Sequence, residues 1–295
     1  MQKPSDSQWT ILELIKWTTA YFQSHDIDSP RLAVELLLAE MLGLERIDLY
    51  VRHDQPLSAE ELSRFKRLIK RRLRREPLAY ILGRRDFWEA SFAVDSNVLI
   101  PRPETEILVE AAIMRIPPDP GSPPMRILEL GTGCGAVIVS LAAARPGHLF
   151  FASDAMLPAL EVARKNAEAN GVADQVRFFA GSWLRPVSRT AGFDMILSNP
   201  PYVPCGQISS LAPEISRHEP AAALDGGDDG LDAVRRIIGS APDHMNPGAR
   251  ILMEIGDGQA AAVEEMVRER DGLEGPRFIR DYGGCERVME AGRTV

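Results

Sequence analysis

The sequence predicts an α/β fold: a doubly wound, mostly parallel sheet with an antiparallel terminal hairpin, preceded by a small N-terminal helical bundle. Three observations carry this expectation. From Arg126 onward, short apolar runs alternate with helical patterns, as βα units do when a sheet is covered by helices on both faces. The first of these runs ends in a glycine-rich turn, Gly131–Gly135. Before Gly83 the periodicity is helical throughout, with brief loops.

In the helical part, Ile11, Leu14, Ile15 and Phe22 recur at helical spacing. Ser29-Pro30 reads as an N-cap followed by proline in the first turn, and Gly43 stops the run LAVELLLAEML. Ser58 with Glu61 forms a capping box ahead of a helix striped by Leu62, Phe65, Ile69 and Leu73. The rest of that helix is basic: Arg64, Lys66, Arg67, Lys70, Arg71, Arg72, Arg74 and Arg75 put eight positive charges into twelve residues. Such a face suits an acidic or phosphate-bearing partner, with Arg71, Arg72 and Arg75 expected to take part; the plainer alternative is a solvated face.

From Phe87 to Ile100 the pattern switches to alternation and reads as a hairpin joining two domains. Glu104–Met114 is helical, and the prolines between 117 and 124 admit neither helix nor central strand. Strands follow at RILEL, HLFFASD, QVRFFAG, FDMILSN and ARILMEIG, helices at AVIVSLAAA, LPALEVARKNAEANG, 231–240 and GQAAAVEEMVRE, and a terminal hairpin at FIRDYGGCERVMEAG. The expected domains are 1–83 (helical, docking), 84–101 (hairpin linker) and 102–295 (α/β).

The 295 residues carry 34 Lys+Arg against 42 Asp+Glu, a formal charge of −8. Residues 1–90 are at +1 and the remainder at −9, which disfavours duplex DNA binding by the α/β half. No apolar run approaches the roughly 18 residues of a membrane span. The first 25 residues contain Asp6 and Glu13 and lack the apolar core of a secretory signal. Cys134, Cys205 and Cys285 form neither a disulfide framework nor a ligand set, and the five histidines are dispersed, so no metal site is expected. These features fit a reduced, cytoplasmic protein, expected to act as a monomer.

Ligands in doubly wound sheets bind beyond the carboxyl ends of the strands, and the first βα turn is the usual place. Here it reads Glu129-Leu130-Gly131-Thr132-Gly133-Cys134-Gly135, with Asp154 at the next strand end, 23 residues past Gly131 and placed for ribose hydroxyls. Gly131, Gly133 and Ala136 also fit the dinucleotide pattern, so NAD or NADP is permitted. Glu129 leans the other way. A carboxylate there suits a ligand with an ammonium or sulfonium group, such as S-adenosylmethionine.

Asn199-Pro200-Pro201-Tyr202 follows the strand FDMILS. Two prolines make a rigid, extended turn at a strand end. The Asn199 side-chain oxygen and the Pro200 carbonyl can accept both hydrogens of a planar –NH2 group, while Tyr202 offers a ring to pack on it. An amide nitrogen is a poor nucleophile because its lone pair is delocalised. Holding both N–H bonds favours a pyramidal nitrogen aimed at an electrophilic methyl, and the same oxygens stabilise the positive charge that develops.

With these motifs in view, the α/β part resembles the Rossmann-like S-adenosylmethionine-dependent methyltransferases, and more narrowly the peptide chain release factor N5-glutamine methyltransferases. SPRLAVELLLAEMLG, EPLAYILGRRDFW, VLIPRPETEILVE, ILELGTGCGA, NPPYVP, EPAAALDGGDDGLDAVRRI and MEIGDGQ carry the likeness across nearly the whole chain. It implies cofactor contacts at Gly131, Thr132, Gly133, Cys134 and Gly135, at Asp154 for the ribose, at Trp183 for the adenine and at Asn199. It implies substrate contacts and catalysis at Asn199, Pro200, Pro201 and Tyr202, and puts Glu104 and Thr105 near the site. The implied substrate is the glutamine in the GGQ loop of class 1 release factors, held by the helical domain. One departure stands out: Gly181-Ser182-Trp183 replaces the family's frequent Gly-Asp-Trp, so an acidic contact to the adenine is in doubt.

Other candidates have plainer readings. Asp225, Asp228 and Asp229 lack calcium-loop spacing and read as a solvated turn. Glu219-Pro220 and Arg217 read as surface loop, although the cleft is an alternative. Competing functions are a ribosomal-protein glutamine methyltransferase, a DNA adenine-N6 methyltransferase, and a translation-associated binding protein with a vestigial pocket.

Overall fold

The computed structural model describes residues 8–118 and 123–294. Residues 119–122 of the proline-rich stretch lie outside the described residues. The chain divides into two compact units.

The smaller unit comprises the residues through Gly83 together with Pro213–His218. Its helices are α1 (Ile11–Gln23), α2 (Pro30–Leu42), α3 (Arg46–Val51), α4 (Ala59–Leu73) and α5 (Leu78–Leu82). Ile11, Leu14, Phe22, Leu37, Leu38 and Phe65 meet in a fully buried core, which is why apolar residues recur every three or four positions. The Ser58–Glu61 capping box forms in both directions, and Gly43 closes α2 in the left-handed region at φ 66°. Ser29 does not cap. It sits at φ 45° with no side-chain bond to the helix, because Asp26 and Ser29 both turn left-handed around Ile27 and bury it. A capping serine needs the extended backbone that this turn removes.

The basic helix is not one uniform surface. Arg71 pairs with Glu76. Arg72, only 5% exposed, lies 2.8 Å from Glu214 Oε1, and Arg75 Nε lies 2.9 Å from the same oxygen. These three arginines, expected in a docking face, are therefore internal ties. Arg64, Lys66, Arg67, Lys70 and Arg74 remain exposed.

The larger unit runs from Arg84 to Ala212 and resumes at Glu219. It begins with an antiparallel hairpin, β1 (Arg84–Phe87) and β2 (Ala90–Ala93). This hairpin belongs to the unit rather than standing as a separate linker: Phe87 and Phe92 are buried, and Ala93 exchanges hydrogen bonds with Asn166 at 2.7 and 3.0 Å. Then come α6 (Glu106–Ile113), β3 (Arg126–Leu130), α7 (Ala136–Ala144), β4 (Leu149–Asp154), α8 (Leu157–Ala169), β5 (Val176–Ala180) and β6 (Phe193–Ser198). After Glu219 follow α9 (Asp232–Ser240), β7 (Met245–Glu254), α10 (Ala260–Glu269), β8 (Leu273–Arg280) and β9 (Glu286–Arg293).

Among the described residues these strands form a seven-stranded sheet in the order β5-β4-β3-β6-β7-β9-β8, parallel except for β9 and its partners. Helices α6, α7 and α8 cover one face, and α9 and α10 cover the other through Val234, Ile237, Val263 and Val267. Helix α7 is buried along nearly its whole length, so AVIVSLAAA is apolar all round rather than striped. The strand order reverses between β3 and β6, which opens a crevice at their carboxyl ends.

Candidate active site

Strand register decides which loops meet in that crevice. Leu130 pairs with Ser153 on one side and Ser198 on the other, and Ser198 pairs with Met253. The residues that follow, Gly131, Asp154, Asn199 and Glu254, therefore leave four neighbouring strand ends at one level. On the outer side Asp154 pairs with Ala180, which brings Gly181-Ser182-Trp183 to the same rim.

A cavity opens among these ends, lined by Gly131, Thr132, Gly133, Cys134, Asp154, Trp183, Asn199 and Pro201. Eight residues predicted from sequence are thus brought together. Glu129, Ser182, Thr105, Leu99, Pro101 and Pro220 complete much of the wall. Gly135, Pro200 and Tyr202 do not line it. A Cβ on Gly135 would stand 3.1 Å from that of Ala163, so this glycine lets α7 and α8 approach.

The glycine turn is held from behind. Gly131 and Thr132 both donate to the Ser153 carbonyl at 2.9 Å, and Gly131 and Gly133 have φ of 71° and 55°. Asn166, buried on α8, donates to the Cys134 carbonyl at 2.8 Å. The Cys134 thiol is pushed up to about 12 by burial, which suits packing and not nucleophilic chemistry. Asp154 accepts from Gly133 N and Met156 N, both at 2.9 Å, one on each carboxylate oxygen. Each oxygen keeps a further acceptor site for a ligand hydroxyl. The Trp183 ring lies over Gly131, and Trp183 itself sits at φ 53°, a left-handed backbone rarely adopted by a bulky residue.

Glu129 is 2% exposed and accepts from the Thr132 hydroxyl at 2.6 Å and from Ile138 N at 3.2 Å. Among the described residues no cation pairs with it, and burial pushes its carboxyl up to about 8. A buried carboxyl facing a cavity without a counter-charge is held mostly neutral and is poised to ionise against a cation. A ligand ammonium would draw out that ionised form, whereas a pyrophosphate would gain nothing from it.

On the β6–β7 side, the Asn199 Nδ2 donates to the Thr105 hydroxyl at 3.1 Å, and the Tyr202 hydroxyl donates to Glu254 Oε1 at 3.2 Å. Tyr202 is thus anchored on Glu254 through its hydroxyl. Its carbonyl accepts from Gln259 Nε2 at 3.1 Å, and Gly230 lies so close that a Cβ would stand 2.3 Å from that oxygen. The glycines of the Asp225–Gly230 loop serve this approach, while Asp229 pairs with Arg235. Glu219 is buried and pairs with Arg102 at 2.7 Å, beside the lining residues Pro101 and Pro220, so it is part of the site's frame rather than a surface loop. Arg217 falls in the Pro213–His218 segment of the smaller unit. Glu254 and Gln259 lie in the MEIGDGQ stretch that carries the family likeness, yet like Asn166 they act on segments far away in the chain, so no local pattern named them as site residues.

Comparison with known proteins agrees with this geometry. Residues 13–83 match the family model described as the PrmC N-terminal domain, and residues 105–228 match the methyltransferase small domain. A release factor glutamine methyltransferase of Geobacter sulfurreducens is 40% identical over 281 residues, covering 95% of this chain and 96% of that one. Another, of Chlorobaculum tepidum, is 38% identical over 292 residues, covering 97% and 98%. Among solved structures, the human Mettl16 catalytic domain in complex with an RNA hairpin superposes with a TM-score of 0.56 at 18% identity, over 77% of this chain and 81% of that one, a likeness of fold. With relatives this similar along almost its entire length, the chain belongs to the release factor glutamine methyltransferase family.

Proposed function

We propose that this chain uses S-adenosylmethionine to methylate the side-chain amide nitrogen of the glutamine in the GGQ loop of class 1 release factors. The observation that carries this reading is the register that sets Asn199 one residue past the Leu130–Ser198 pair, beside the glycine turn and in the same cavity. The cofactor supplies an electrophilic methyl on a sulfonium. Gly131, Thr132, Gly133 and Cys134 would cradle it, Asp154 would take its ribose, Trp183 its adenine and Glu129 its ammonium. Ser182, exposed on the rim, offers a hydroxyl and no charge.

Asn199 Oδ1 and the Pro200 carbonyl would hold the two hydrogens of the glutamine amide, with Pro201 closing the wall. Held this way, the nitrogen lone pair would be free to face the methyl that the cofactor supplies, with the thioether as leaving group and the extra amide proton passing to water after transfer. Tyr202 supports the turn through its hydrogen bond to Glu254. The −9 charge of the half that holds the site argues against duplex DNA, and a release-factor substrate supports a cytoplasmic site of action. The helical domain would dock the protein substrate through the exposed Arg64, Arg67 and Lys70.

The test is methyl transfer from radiolabelled S-adenosylmethionine to a class 1 release factor, its GGQ→GGA variant, ribosomal protein and duplex DNA in parallel. Label on the release factor that disappears in the GGA variant supports the proposal. Label on ribosomal protein or DNA alone would refute the substrate, and binding without any transfer would refute the activity. In the same assay Asn199→Ala is expected to abolish transfer while cofactor still binds.

A further inference from the structure

We propose that Thr105 and Glu254 are positioning residues that fix which end of the Asn199 side-chain amide faces the substrate nitrogen. This rests on the reading of Asn199 given above. The two ends of an asparagine amide have the same shape and opposite chemistry: one is an acceptor, the other a double donor. Methylation of an –NH2 group needs the acceptor end toward the substrate. A flipped amide would set donor against donor, and the Asn-Pro-Pro-Tyr backbone does not by itself choose between the two.

A hydrogen-bond relay makes the choice. Asn199 Nδ2 is 3.1 Å from Thr105 Oγ1. That hydroxyl has a single hydrogen. If the hydrogen is committed elsewhere, Oγ1 can only accept from Asn199, which holds Nδ2 on Thr105 and leaves Oδ1 for the substrate. Glu254 is the group proposed to take it: its Oε2 is fully buried with no hydrogen-bond partner in the structure, and the Thr105 hydroxyl favours its ionised form. Its Oε1 is already occupied by the Tyr202 hydroxyl. Thr105 is 4% exposed and Glu254 fully buried, so bulk water does not compete for either. The placement follows from the sheet: Asn199 and Glu254 each follow a member of the Ser198–Met253 pair, and Thr105 immediately precedes α6.

An ionised carboxylate can only accept, and this gives the relay its direction. Burial pushes Glu254 up to about 7; Thr105, Tyr202 and Arg287 favour its charged form, and Glu104 opposes it. Once protonated, the carboxyl can donate to Thr105 Oγ1. The threonine hydrogen is then free to turn to Asn199, which stabilises the flipped amide. Activity is therefore expected to fall on the acid side of about pH 7 through this group.

The experiment measures kcat, KM for the release factor and cofactor affinity for wild type, Thr105→Val, Thr105→Ser, Glu254→Gln, Thr105→Val/Glu254→Gln and Asn199→Ala, with kcat followed across pH. Thr105→Val is expected to lower kcat about tenfold, the size of one lost orienting hydrogen bond, with KM and cofactor affinity held within about twofold. Thr105→Ser should recover most of kcat. Glutamine at 254 can offer Thr105 either a donor or an acceptor, so Glu254→Gln should also lower kcat and erase the acid limb. The double variant should be little worse than Thr105→Val, because both changes break one relay. Wild-type kcat in Thr105→Val or an intact acid limb in Glu254→Gln, alongside an inactive Asn199→Ala, would overturn the relay while leaving the function standing. An active Asn199→Ala would instead overturn the reading on which the relay rests. Should Thr105→Val fail to fold, Glu254→Gln and its pH profile decide alone.

Discussion

Replacing Glu129 by glutamine should change the proton balance of cofactor binding by a countable amount. With its carboxyl raised from 4.5 to about 8 by burial, Glu129 is about nine-tenths protonated at pH 7 in the free enzyme. An ammonium placed against it favours the ionised form, so binding S-adenosylhomocysteine should expel that proton. The ligand is a free amino acid whose ammonium, beside its own carboxylate, already holds its proton at pH 7, so the net release is about 0.9. The sign follows for affinity: below pH 8 each binding event must remove a proton, so affinity rises with pH, about ninefold from pH 6 to 7. Calorimetric titration in buffers of different ionisation enthalpy reads the proton number directly. Glu129→Gln should bind more weakly at pH 8, lose the acid-side dependence and release essentially no proton. Its side-chain oxygen can still accept from Thr132 and Ile138, and without a carboxyl to neutralise the free variant should be more stable at pH 7 by about 1–3 kcal/mol. Proton release that persists undiminished in Glu129→Gln, or none in the wild type, would refute the reasoning.

Gly230→Ala forces a Cβ to within 2.3 Å of the Tyr202 carbonyl and demands φ 80° of a non-glycine residue. It is expected to cost about 2 kcal/mol in denaturant unfolding and to depress kcat, since the displaced backbone carries the Asn-Pro-Pro-Tyr turn. Arg102→Ala leaves Glu219 buried without its partner, so about 2–4 kcal/mol of stability should be lost, and Arg102→Ala/Glu219→Gln should restore much of it. Reversing Arg64, Arg67 and Lys70 to Glu is expected to raise KM for the release factor several-fold, more at low salt, with cofactor affinity unchanged. Arg72→Glu should instead lower the melting temperature, because it sets two carboxylates against each other at Glu214. Equal effects of the two sets in both assays would show that the helix face has no division of labour.

What sequence reading reached, and what it missed, divides by the range of the interaction concerned. Helix α4 was legible because its capping box and stripe are separated by three or four residues, the same distance that the helix brings together. The glycine turn and the Asn199 tetrapeptide were legible because each is short and stiff. Which arginines of α4 face solvent was not legible, since Glu214 lies about 140 positions away and pairs with Arg72 and Arg75 only in the fold. Glu254 was unreadable for the same reason: its partners Thr105 and Tyr202 come from two distant segments. Tyr202 was legible from its motif, whereas its hydroxyl's partner Glu254 lies outside that motif. Ser29 shows the limit of a local rule, because burying Ile27 overrode the capping preference of the residue before a helix.

Glu129 and Glu254 together explain why a sheet of this kind can separate cofactor from substrate with so few charged groups. Glu129 pairs at the level of Leu252, and Glu254 lies two residues beyond it, so both carboxyls emerge on the face covered by α6 and α7. Each stands by the first turn of a helix: Glu129 accepts from Ile138 N of α7, and Glu254 faces Thr105, which precedes α6. The Ile138 N–H at the α7 end lowers the cost of charging Glu129, and Arg287 does the same for Glu254, while burial holds both carboxyls above the ordinary range. The protein leaves Glu129 open to the cavity, where a ligand's positive charge completes it. Glu254 is shielded behind Thr105 and Tyr202, where its charge acts on Asn199 only through a hydroxyl. Exchanging these environments would undo both roles. An open Glu254 would compete with Asn199 for the substrate amide, and a shielded Glu129 would leave the ligand ammonium without a partner.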